Sequence, residues 1–272
     1  MRRDLVLFML ITSILTGCSK ETLKTLNVGK VEFAVSNSYD FSAASAGVYV
    51  NEVIDYPLTG KFEVPVVYNM HYTYNDGVMN GDNLYLDKSK IFNINAYAPY
   101  MPTGDSKSHY LPFNHGTDVL WAQASFPVAG QDTLNMVNLE FRHMTTQVVF
   151  EMEDKRDDLS KDRYDFEKAE YSINGFSKRC FLDVSTGELI RGEIDPSIII
   201  TKNDSLTCFA PGEGMSEYNI VLSIPAIENS DTSVQVIRSN FSYLFKPGYS
   251  YTITISVYTT EISISVNVAE WV

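Results

Sequence analysis

The chain of 272 residues carries 21 Lys and Arg against 34 Asp and Glu, a formal net charge of −13. Such a surface repels phosphate backbones and contains no basic stripe, which excludes nucleic-acid binding. A hydrophobic content of 44% is normal for a packed protein and excludes wholesale disorder, while the abundance of Tyr and Phe over Trp suits pleated strands.

The first residues have the pattern of an export signal. Arg2 and Arg3 precede the mostly apolar residues 5–15, which are too few for a transmembrane helix of roughly 20 residues. The apolar run stops at Cys18, behind which the chain is polar. The residues just before this cysteine are Leu15, Thr16 and Gly17. Leu-Thr-Gly-Cys resembles the bacterial lipobox, so we expect residues 1–17 to be a signal peptide and Cys18 to be lipidated. An ordinary signal with an incidental cysteine is the alternative.

Alternation with period two predicts strands in the first half of the chain. It is clear in residues 31–35, in 62–74, where Pro65 marks an edge or a bulge, and in 90–100. Residues 75–83 are dense in Asn, Asp and Gly and predict a hairpin or a long turn.

The clearest strand pattern, in residues 137–152, changes face near residues 142–145, which predicts a bulge or a bend there. The charged residues 153–163 follow, and we interpret them as an interdomain connection or a surface turn of helix. Beyond them, eight short strands in about 115 residues predict a β-sandwich. The final strand, from Ile262, should bury one face.

Two cysteines, Cys180 and Cys208, remain after Cys18, both in apolar stretches. A disulfide between them would close a loop of roughly 28 residues and add about 3–4 kcal/mol. The alternative is a pair of buried thiols on separate strands. The sequence leaves both arrangements open because it does not fix the distance between the two Cα atoms.

The residues contain no recognisable catalytic or metal-binding pattern. No pair of histidines has ligand spacing on one strand, and neither a nucleophile elbow nor a phosphate-binding loop is present. Asp76 and Asp82 lie in a Gly-rich turn that lacks the calcium-loop pattern. We predict no enzymatic activity, no cofactor and no metal site. The four histidines are His71, His109, His115 and His143.

Several motifs in order along the chain resemble the fimbrillin family, the type V pilins of anaerobic Gram-negative bacteria. The strongest is NLEFRHMTTQVVFEM (138–152), with its Phe-x-His step, and the closing segment 245–271 is similar to the family's last strands. The lipobox agrees with them. The remaining matches are INAYAPYMP (94–102), LWAQA (120–124) and LDVSTGEL (182–189).

The resemblance implies an all-β fold of two transthyretin-like β-sandwich domains with Greek-key antiparallel sheets, divided here as 18–154 and 155–272. It also implies an outer-membrane lipoprotein that is cut by a trypsin-like protease. A strand from a neighbouring subunit then fills the opened groove, and the assembled fimbria supports adhesion. Partners would be other fimbrial subunits, the outer membrane, and host surface proteins or glycans. His143 would have a structural role at the strand bend.

The chain departs from the family in its processing sites, since it has no arginine between Arg3 and Arg142. The basic residues near the start are Lys20, Lys24 and Lys30. A cut after Lys30 would leave Val31 as the new first residue. Without a cut, the chain stays tethered to the membrane as an anchor or accessory subunit, so stalk, tip and anchor roles all remain open. The alternative function is a monomeric surface lipoprotein that binds glycan or host protein.

Overall fold

The computed structural model describes residues 27–35, 45–75, 77–103, 107–127, 135–204, 206–227 and 233–271. Nearly all regular structure in them is β, with one helical turn, α1 (Asp158–Lys161), and one 3-10 turn (Lys202–Asp204). The strands are β1 (Val28–Val35), β2 (Ser45–Tyr56), β3 (Gly60–Asn75), β4 (Val78–Asp87), β5 (Ile91–Ala98), β6 (Tyr110–Asn114), β7 (Leu120–Phe126), β8 (Met136–Leu139), β9 (Arg142–His143), β10 (Thr146–Asp154), β11 (Glu170–Asn174), β12 (Arg179–Asp183), β13 (Glu188–Arg191), β14 (Ile200–Thr201), β15 (Leu206–Phe209), β16 (Ser216–Ile224), β17 (Gln235–Tyr243), β18 (Tyr249–Val257) and β19 (Ile262–Glu270). No helix among these residues has the length and apolar content to span a membrane.

One eight-stranded sheet forms most of the first half, in the order β8-β1-β4-β3-β2-β5-β7-β9. All its neighbours are antiparallel except β1 and β8, which are parallel. Buried side chains from both ends of this order, such as Phe33 of β1, Leu139 of β8 and Ile94 of β5, share one hydrophobic core. The sheet therefore folds over on itself, and its two parts supply both layers around that core.

Two four-stranded sheets form the second half, ordered β15-β10-β18-β19 and β14-β11-β16-β17. Val148 and Ile253 of the first sheet meet Ile173 and Ile220 of the second in another core. This arrangement confirms the all-β prediction and has the layering of a β-sandwich. β10 and β18 pair in parallel, and the other neighbours are antiparallel. The transthyretin-like and Greek-key details stay predictions.

Between β9 and β10 the chain passes from the strands of the first half to those of the second, and the domain division at residue 154 stays a prediction. β9 still pairs with β7 of the first half, whereas β10 pairs with β15 and β18 of the second. The apolar set changes face near residues 142–145 because the chain leaves one core there and enters the other. The charged residues 153–163 instead contain the surface turn α1, which Asp157 caps by accepting a hydrogen bond from Ser160 N at 2.7 Å.

A fourth sheet, β13-β12-β6, joins the two halves, because β6 belongs to the first and β12 to the second. Beneath it lies a core to which both halves contribute, with Tyr49 and Trp121 from one and Leu182 from the other. The Trp121 Nε1 donates a hydrogen bond to Val184 O at 2.8 Å. Gly187 packs directly on the indole, where a Cβ would lie 2.6 Å from it.

Candidate functional site

The first strand occupies a slot between two others. β1 pairs antiparallel with β4 on one edge and parallel with β8 on the other, so both edges are hydrogen-bonded. Its side chains alternate strictly: Val31 and Phe33 are 3% and 1% exposed, while Lys30 and Glu32 face solvent. β1 thus combines an apolar inner face with a polar outer face.

Apolar side chains form the floor and walls of this slot. The Phe33 ring meets Tyr72 edge-on, with ring centroids 5.2 Å apart. Burial, together with the negative charge of Asp82, raises the pKa of Tyr72 to about 12. Its hydroxyl donates a hydrogen bond to Asp82 O at 3.2 Å. The other buried residues that face this core from β4 and β8 include Leu84, Leu86, Val137 and Leu139.

The main chains of β4 and β8 hold β1 through backbone ladders along both of its edges. The β4 edge runs from Val28 opposite Asp87 to Ala34 opposite Val78, with one irregularity before Phe33. The β8 edge adds a parallel ladder over Glu32–Val35. The two ladders and the apolar pockets between them hold β1 by its extended backbone and by its alternating apolar side chains.

Of the predicted tethering and processing residues, only Lys30 falls within the described part of the chain. It lies on β1 and is exposed, with its Nζ 3.2 Å from Glu32 Oε1. The others lie outside the described residues and stay predictions. They are Leu15, Thr16, Gly17, Cys18, Lys20 and Lys24.

Cys180 and Cys208 are free thiols on separate strands, which is the second of the two arrangements that the sequence allows. Cys180 is on β12 and Cys208 on β15, in different sheets. Burial raises the pKa of Cys180 to about 11. Burial and the nearby Asp118 charge raise the pKa of Cys208 to about 12. Both thiols therefore stay protonated at neutral pH, and a protonated thiol is unreactive.

His143 packs at the bend between the two halves, as the resemblance implies. Its Nδ1 lies 2.9 Å from Asp118 Oδ1, and its ring stacks on Trp271 with centroids 3.8 Å apart. His71 stacks in the same way on Tyr100. Within the described ranges, no three His, Cys, Asp or Glu residues come together as a group that could hold a metal ion.

The described residues form layered β-sheets in which β1 is seated between β4 and β8. The chain belongs to the fimbrillin-like family, whose sequence model matches residues 30–271. Members of this family are structural, so the chain is a fimbrial or adhesion component and not an enzyme. A search among curated proteins finds no match.

Solved structures share the fold across nearly the whole chain. A protein from Bacteroides uniformis, described as a cell adhesion protein, superposes with a TM-score of 0.64 at 16% identity, covering 91% of this chain and 99% of its own. A Bacteroides ovatus protein with the same description gives 0.59 at 14% identity over 90% and 98%. A fimbrial protein from Bacteroides vulgatus gives 0.54 at 13% identity over 89% and 99%. At these identities the likeness establishes the fold alone.

Proposed function

We propose that this protein is a structural subunit of cell-surface fimbriae that supports adhesion and joins its neighbours by strand donation. It reaches the outer membrane as a lipoprotein modified at Cys18. The observation that carries the proposal is the seating of β1: one short, separate strand fills a two-edged slot in the first core. An incoming strand with the same alternation would recover the same backbone bonds and apolar contacts.

The position of Lys30 defines what proteolysis does to this slot. Cuts after Lys20 or Lys24 leave β1 whole, and a cut after Lys30 removes its first residues but keeps Val31 and Phe33. Residues 31–60 contain no Lys or Arg, so a trypsin-like protease has no site there to release the remainder. β1 would therefore leave the slot by displacement, shortened to five residues and still joined to β2.

A reversible lock on β1 tests strand donation. Ala34 and Asn138 are parallel partners on the outer faces of β1 and β8, so Ala34→Cys with Asn138→Cys should form a disulfide that holds β1 in place. The matched control joins β16 to β17 through Glu217→Cys and Ser242→Cys. We expect the locked protein to stay unassembled on cells until reduced, and the control to assemble throughout. Assembly of the locked protein under oxidising conditions would refute donation through this slot.

Intact mass and N-terminal sequencing of protein recovered from the native cell surface separate the possible roles. A lipid-free chain beginning at or near Val31 indicates a processed stalk or tip subunit. A lipidated Cys18 on every copy would contradict polymerisation after cleavage and leave an anchor subunit or a monomeric surface binder.

A further inference from the structure

In the eight-stranded sheet, one end of the β2–β3 pair extends beyond the neighbouring strands β4 and β5. The β2–β5 ladder ends at Val53 opposite Ile91, but β2 and β3 continue as partners to Tyr56 opposite Gly60. β3 pairs with β4 only over Tyr72–Asn75. Residues 54–62 therefore form a two-stranded projection with both edges free, which we call the β2–β3 ribbon.

The ribbon exposes its apolar side chains. Leu58 stands at the tip with 98% of its surface exposed, and Tyr56 and Phe62 are 51% and 49% exposed. The rings of Tyr56 and Phe62 meet edge-on, 5.8 Å apart, so they share one face. The opposite face pairs Asp55 with Lys61 and carries no net charge from these two residues. The ribbon therefore has one polar face, and its apolar face and tip are exposed to solvent. Exposed apolar surface of this kind indicates an interaction surface.

The ribbon and the start of β1 lie at the same end of the sheet. β1 runs antiparallel to β4, with Val28 opposite Asp87, and β4 runs antiparallel to β3, with Val78 opposite Asn75. The end of β4, the beginning of β1 and the beginning of β3 therefore lie at the same end of the sheet, and β3 begins farthest out. Ile91, 58% exposed, begins β5 at this end too. Whatever the chain is attached to ahead of residue 27 meets this end first.

The length of the preceding chain fits a membrane as the surface that the ribbon meets. Cys18 precedes Asn27 by nine positions, a reach of at most roughly 30 Å when fully extended. The ribbon tip stands five residues beyond Val53, which is roughly 16 Å. A lipid on Cys18 would thus hold this end close enough for the tip to touch the bilayer.

We propose that the β2–β3 ribbon is a membrane-contact element, in which Tyr56, Leu58 and Phe62 enter the interface of the bilayer that carries the lipid of Cys18. The inference rests on the lipid tether of the proposed function. Apolar faces of surface-bound segments sink roughly 5–10 Å into this interface. Tyrosine is enriched there because its ring is apolar and its hydroxyl stays hydrated. The contact would orient the sheet upright on the membrane.

Quenching of tryptophan by brominated lipid tests the contact. The full lipidated chain carrying Leu58→Trp is placed in vesicles of phosphatidylethanolamine and phosphatidylglycerol with brominated acyl chains. Met215→Trp, at a 70% exposed position in the second half, is the matched control. We expect a loss of Leu58→Trp emission on bromination, and no loss for the control beyond that of the wild type. In Tyr56→Trp, adding Leu58→Asp should reduce the quenching.

The outcomes separate this inference from the proposed function. Intact mass first confirms the lipid on the preparation. With lipid present, equal quenching of the two variants refutes the membrane contact and leaves the fimbrial proposal standing. A change in Leu58→Trp emission without bromine quenching would assign the ribbon to contact with a second copy of the chain and would also refute the membrane contact. A chain that is never lipidated refutes the tether, and the inference with it.

Discussion

Phe33→Ala should destabilise the first half of the protein more than any exposed change on the same strand. Phe33 is 1% exposed and its ring packs edge-on against Tyr72. Truncating a fully buried Phe removes its transfer free energy and leaves a cavity, which together cost about 3–5 kcal/mol. The lost aromatic pair, about 0.5–1.5 kcal/mol by itself, places the value in the upper part of that range.

Urea unfolding, followed by far-ultraviolet circular dichroism and by tryptophan fluorescence, measures the loss. With a denaturant slope of about 2 kcal/mol per M, the midpoint of the first-half transition should fall by about 2 M. The control Glu32→Ala changes an exposed neighbour on β1 and should shift the unfolding free energy by less than about 0.5 kcal/mol. If Phe33→Ala costs less than about 1 kcal/mol, β1 is not integral to this core and the account of the slot is wrong.

Three further results are expected. Gly187→Ala places a Cβ against the Trp121 indole at a φ of +75°, so the melting temperature should fall. The control Gly214→Ala adds a Cβ in open space and should leave the melting temperature unchanged. Burial raises the thiol pKa of Cys180 to about 11 and that of Cys208 to about 12. Both thiols should therefore resist iodoacetamide at pH 8 in the folded protein, and each should add one label by mass in the unfolded protein. A disulfide between them would block both labels. Hydrogen bonds from Arg156 lower the pKa of the Asp154 carboxyl below its ordinary value of 3.8. The stability that this carboxylate contributes is therefore present above pH 3.8 and is lost as the pH falls through the lowered pKa. The urea midpoint of Asp154→Asn should therefore depend less on acid than that of the wild type, and equal acid dependence would contradict the assignment.

The sequence predicts well those strands that bury one face. Alternation locates β1 and β19, because in each strand one face lies against a core and the other faces solvent or a polar surface. The predicted turn over residues 75–83 is too long, since β4 already begins at Val78. Asn80, Gly81 and Asn83 lie on exposed strand positions instead.

Two strands have no recognisable pattern in the sequence. β2 is buried on both faces over its residues 46–51, between the first core and the shared core, so alternation disappears. β6, with its proline and flanking histidines, is typical of a loop, and its partner β12 lies far along the chain. The same non-local pairing hides the slot: the inner face of β1 is predictable, but the walls come from β4 and β8, which only the fold brings together.

The seating of β1 also decides how the protein resists force. A pull on the chain ahead of Asn27 enters the fold along the axis of β1, parallel to both of its ladders. Such a pull shears all the hydrogen bonds to β4 and β8 at once, whereas a pull across the strand would open them one after another. Shear shares the tension among many bonds and makes rupture slow. The strand at which neighbouring chains would exchange is therefore also the strand through which a surface protein would transmit drag from its surroundings.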